Sequence, residues 1–429
     1  MVCTRSEVFY KTQCPQSGGW EERMEVLAMP FRTKITNLAK SFGQSVLAMS
    51  FNLAGMLAGT LLVIHLDVFS ITPWALALFP GIISVRGVIE GLFSGRLTTA
   101  LHVGTVKASY TGNTRYFYLL LYAIAALTIE TSVGVGLAAS LLGMFFWRTT
   151  FTDMVAILAV TIATMGLLMI LASPITVWVS ILSFKRGLDP DVIVYPVMST
   201  TSDVIVTSCY ILVLNTFFLL TPLGKYLIAL FDVTFLLIVL YVSIKNYREA
   251  EFSKTIKEFF LTLFLVTSIV NVTGLVLGKI SGVIGRRSEV YVVYPALIDT
   301  VGDVGSIVGS TATTKLTLGL IGSSFSSIKQ HLTEIWGAWT ASLTMFTVYS
   351  IISSLTQGIT ALSDIMKFMV QLLATNILAV SCVVLVAYAA AILTYRRGWD
   401  PDNFVIPIES SLADSITTIS LFMALTATA

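Results

Sequence analysis

The chain has 429 residues, 55% of them hydrophobic and 12% charged, with a mean hydropathy of +0.86. Soluble domains carry about 25% charged residues, so this composition excludes an ordinary soluble fold and points to the membrane class, with the lipid bilayer as its first partner. A net charge of +2 excludes the basic footprint of a nucleic-acid binder.

Residues 1–30 are polar and lack the apolar core of a secretory signal. Residues 31–44 read as a short amphipathic helix at the membrane surface, so 1–44 is taken as a cytoplasmic N-terminal segment. Apolar runs of spanning length follow near 45–66, 72–101, 116–146, 153–184, 192–219, 226–245, 257–280, 290–318, 335–356, 366–394 and 403–428. The expected fold is therefore an all-α integral membrane protein of about eleven helices. The cysteines Cys3, Cys14, Cys209 and Cys382 form no C-x-x-C pair and read as small hydrophobes.

Lys and Arg in the short loops set the orientation. Arg32, Lys34, Lys40, Lys107, Arg115, Lys185, Arg186, Lys245, Arg248, Lys254, Lys257, Lys329, Arg396 and Arg397 fall on one side. Arg148, Lys225, Lys279, Arg286, Arg287 and Lys367 fall on the other. This places the N-terminus in the cytoplasm and the C-terminus outside a cell membrane, with Arg286 and Arg287 dissenting.

The chain repeats itself. Residues 187–203, GLDPDVIVYPVMSTTSD, match 398–414, GWDPDNFVIPIESSLAD, at eight positions and a shift of 211. Residues 80–104, PGIISVRGVIEGLFSGRLTTALHVG, match 295–319, PALIDTVGDVGSIVGSTATTKLTLG, at seven positions and a shift of 215. Two separated matches at nearly one shift indicate a duplicated unit: a first repeat over 45–220, a linker helix within 221–256 and a second repeat over 257–429. Each unit holds five spans, an odd number that would invert the second copy. The linker helix carries the chain back, so the copies are expected to lie parallel, as in a homodimer fused into one self-sufficient chain.

An ionisable group in the apolar core costs about 2.5–3.5 kcal/mol on insertion scales and is a functional candidate by default. Asp203 and Asp414 lie well inside the last helix of each unit. Ser199 and Thr207 flank Asp203 at i−4 and i+4, and Ser410 and Thr418 flank Asp414 in the same way. The second helices are also polar. Arg86 and Glu90 are i, i+4 neighbours that read equally as a structural ion pair or as part of a site. Asp299 and Asp303 share the spacing without an internal counterion, for which a bound cation is the simpler compensation. The candidate ligands are all oxygen, which suits hard cations. Mg²⁺ keeps most of its waters and needs only one or two carboxylates. Na⁺ and Ca²⁺ remain open on this argument alone. An intramembrane enzyme would need a nucleophile with its base, or a metal dyad such as H-E-x-x-H, and neither is found, so no catalytic residue is assigned. A non-transporting scaffold is the remaining class, and it predicts no cation-dependent stabilisation.

The G-L-D-P-D…S-D and G-W-D-P-D…A-D segments resemble the last transmembrane helix of the MgtE magnesium transporters. The P-G-I-I-S-V-R-G-V-I-E and P-A-L-I-D-T-V-G-D-V-G segments resemble that family's second helix. The doubled unit is similar to the eukaryotic solute-carrier branch. The resemblance implies five-helix units paired about a central Mg²⁺ pathway, with Asp203 and Asp414 at the family's pore aspartate. It implies Glu90 as the acidic residue after the R/K-G element. The second copy departs there, with Gly305 in that place and Asp303 two residues earlier. The expected function is transport of divalent cations, Mg²⁺ first, through the interface of the repeats. A cation antiporter or exporter coupling Mg²⁺ to Na⁺ or H⁺ is the alternative. The pathway is expected to be symmetric at its aspartates and asymmetric beside them.

Overall fold

A computed structural model describes residues 31–146, 148–186, 190–253, 255–257, 287–317, 319–397 and 405–427. Among them every regular element is helical. Helix α1 (Phe31–Ser50) runs through a 3-10 turn into α2 (Gly55–Ile64), and a single turn then leads to α3 (Pro73–Val103). There follow α4 (Arg115–Phe146), α5 (Phe151–Lys185), α6 (Pro190–Leu219) and α7 (Leu223–Asn246). The second half contains α8 (Ser288–Thr317), α9 (Leu332–Thr356), α10 (Leu362–Arg396) and α11 (Val405–Ala427).

Local chemistry sets these ends. Pro73 opens α3, where its missing N–H costs nothing, and Gly104 closes it in the left-handed conformation at φ 79°. Thr150 and Asp153 form a reciprocal capping box at the start of α5. Pro80 and Pro295 lie inside α3 and α8 at equivalent places in the repeat. Each removes one backbone donor from its helix.

Nine helical stretches among the described residues are long and apolar enough to cross a bilayer, and Leu412–Ala427 in α11 is a shorter apolar helix. The expected span 257–280 falls almost wholly outside the described residues, so the structure leaves the count of eleven open. The first span differs from expectation. Residues 31–44 are not a separate surface helix but belong to α1, and the candidate span runs Thr36–Ile64. The cause is packing. Helix α1 lies along α9, close enough that a Cβ on Gly337 would sit 2.3 Å from Ser41 Oγ.

The halves have the same internal contacts. Helix α3 packs on α4, α5 and α6, α4 on α5, and α5 on α6. In the second half α8 packs on α9, α10 and α11, α9 on α10, and α10 on α11. The first helix crosses between them. Helix α1 packs on α9, and α2 packs on α8 as well as on α6. Residues beyond the end of α7 make the return contact, with Phe252 in a cluster with Leu119 and Ala123 of α4. Tyr122 and Ile256 pack against that same cluster, and at a shift of 215 they correspond to Gly337 and Ser41.

Lipid supplies no hydrophobic drive between helices, so close backbone approach and polar contacts carry the association. Gly55 and Gly59 provide it for α2. A Cβ on Gly59 would lie 2.2 Å from the Val292 carbonyl oxygen of α8. Among the described spans α7 is the least buried, with 22% of its apolar window buried and Leu230, Leu237 and Tyr241 exposed.

Candidate cation site

Helix α3 lies between the two aspartate-bearing helices, touching α6 of its own half and α11 of the other. Its side chains at i and i+2 point about 200° apart, which lets one helix address both neighbours. Ser84 donates its hydroxyl to Asp414. Two residues on, Arg86 donates to Asp203 and, at 2.9 Å, to the backbone carbonyl of Ser199. All four side chains of Ser84, Arg86, Asp203 and Asp414 are buried. The aspartates of the two halves therefore meet one helix.

The equivalent helix of the second half reaches back. Position 84 corresponds to 299 in the repeat, and the Asp299 carboxylate lies against Asp203. Two ionised carboxylates repel unless a proton or a cation compensates them. One oxygen of each, Asp203 Oδ2 and Asp299 Oδ2, is buried without a hydrogen-bond partner. Asp303 is separately held. It accepts at 2.7 Å from Asn52, whose amide also donates to Thr300 at 3.2 Å, and Thr300 bonds the Tyr349 hydroxyl at 2.8 Å.

Glu90 has a partner besides Arg86, which also acts on it electrostatically. It accepts from Thr176 of α5, while its helical neighbour Arg86 turns to Asp203. The expected symmetry at the aspartates is also corrected. Asp203 faces a guanidinium and Asp414 faces a neutral hydroxyl, because Arg86 has Val301 as its repeat counterpart.

The flanking hydroxyls divide. Ser199 contributes its carbonyl to Arg86. Thr207 is buried, and its hydroxyl has no hydrogen-bond partner. The Thr418 hydroxyl donates to the Asp414 carbonyl at 2.7 Å and bonds Tyr294 at 2.9 Å. Ser410 lies in α11, with its side chain outside the described residues. Ser84, Asn52, Thr176 and Tyr294 were not expected at the site. Ser84 alone had a signal in the sequence, its alignment with Asp299.

Among the described residues no three His, Cys, Asp or Glu side chains converge closely enough to ligate one ion directly.

Comparison with known families gives one finding. The model of the MgtE family, described as a divalent cation transporter, matches residues 79–213 and 294–424, together more than half of the chain. No curated protein and no solved structure gave a match.

Proposed function

The chain belongs to the MgtE family of divalent cation transporters, and from that premise we propose that it carries Mg²⁺ across a cell membrane along a path where its two halves meet. Asp203 and Asp414 face that path and hold the hydrated ion through its waters, with Asp299, Asp303 and Glu90 adding negative potential beside them. The observation that carries this reading is helix α3, which bonds a buried carboxylate from each half. Charges in a membrane core face a bundle interior or a water-filled path, and here they gather at the junction of two similar halves.

In this reading the halves run parallel about an axis along the membrane normal, and α7 is the device that makes them so. The N-terminus is cytoplasmic, the C-terminus is outside, and a single chain forms a pseudo-dimer that needs no second copy. Repeat-built transporters place their ion sites at such interfaces, near interrupted helices. Pro80 and Pro295 supply the interruptions at matching places.

The test is Mg²⁺ flux in proteoliposomes. Asp414→Asn keeps an acceptor for Ser84 and removes only the charge, so the protein is expected to fold and to lose flux by about tenfold or more. Wild-type flux from folded Asp414→Asn protein would overturn the site.

A further inference from the structure

We propose that Arg86 is a tethered cation that competes with the transported ion for Asp203, so that a divalent cation engages the first half only as the guanidinium withdraws. This rests on the cation path argued above and names the residue that regulates it. Arg86 is 2% exposed and Asp203 0% exposed, and their ion pair is backed by the Ser199 carbonyl on the same helix as Asp203. A purely structural arginine would be expected to neutralise an acid away from the path. This one instead takes the carboxylate that the repeat identifies as half of the site.

The reach of the charge supports the same role. Arg86 interacts electrostatically with Asp414, Asp299 and Glu90 as well as with Asp203. A positive charge among these acids offsets part of the attraction they would exert on an arriving cation, and in a medium of low dielectric that offset is strong. The helix that carries Arg86 is built to yield: Gly87 follows it, a residue with no side chain to stiffen the backbone there. Pro80, less than two turns earlier, removes a rung of the helical ladder that would otherwise stiffen α3. The second half carries Val301 at the matching place, so Asp414 has no competitor in register. An entering ion then engages Asp414 first and Asp203 second.

The experiment titrates Mg²⁺ against the melting temperature of the full chain in detergent, for wild type, Arg86→Gln and Arg86→Lys. Removing the competing charge should lower the half-saturating Mg²⁺ concentration about tenfold in Arg86→Gln. Lysine keeps the charge but loses the planar fork, so Arg86→Lys should fall between, about threefold below wild type. A wild type that gains no stability from Mg²⁺ would overturn the cation-site reading on which the proposal rests. A wild type that responds, with both variants within about twofold of it or weaker, overturns the role of Arg86 alone. If Arg86→Gln does not fold, Arg86→Lys decides by the same criterion, since it retains the ion pair.

Discussion

The two halves share their helix contacts but neutralise their central carboxylates differently. In the first half Asp203 meets a full positive charge, and in the second Asp414 meets a hydroxyl. One helical turn away the order of satisfaction reverses. Thr418 bonds Tyr294, whereas Thr207 has no partner because Phe79 stands where the repeat places Tyr294. The duplication thus preserved backbone architecture while the polar groups diverged. The helix contacts repeat in the two halves, whereas the partners of their buried polar groups do not.

The sharpest way to break this comparison is to remove one aspartate at a time. Asp203→Asn leaves the buried Arg86 guanidinium without its carboxylate and should cost about 3–5 kcal/mol. Asp414→Asn retains an acceptor for Ser84 and should cost about 1 kcal/mol. Thermal melting of the two variants in the same detergent compares them, and equal losses would remove the asymmetry. Next in size is the contact between α2 and α8. Gly59→Leu drives side-chain atoms into the Val292 carbonyl and should cost about 3 kcal/mol, whereas Gly87→Leu, in open space, should cost far less. The smallest effects sharpen the threonine pair. Tyr294→Phe should destabilise by about 1 kcal/mol. Phe79→Tyr, which offers Thr207 the partner its counterpart has, should stabilise by a similar amount. Loss of stability in Phe79→Tyr would show that the repeat does not superpose there.

The helical plan was legible because lipid demands long apolar helices, and apolar length is directly visible in sequence. Most expected spans agree with the observed helices to within a few residues. The first did not, because α1 continues through polar Thr36, Lys40 and Ser41 on the strength of its contact with α9, a partner about 300 residues away. The site was legible in part. Asp203, Asp414, Glu90 and Asp303 stood out as charges within apolar runs. Their partners did not, since Ser84, Asn52 and Thr176 are ordinary membrane-helix residues until folding sets them against a carboxylate. The destination of Arg86 was also hidden. Helical spacing offers Glu90, and the packing of α3 on α6 brings Asp203 to Arg86 as well. The approach of α2 had a sequence sign in Gly55-x-x-x-Gly59, whose meaning depended on knowing which helix it would meet.

The exchange of the first helix has a mechanical consequence. Each half holds, by its entry helix or the start of one, a groove on the other, so the halves are clasped at two places in addition to the α7 tether. A protease cut between Asn246 and Glu249 should therefore yield two fragments that stay together in mild detergent until the clasp itself is melted. Pulling the halves apart would strip α1 from α9 and α2 from α8 at once.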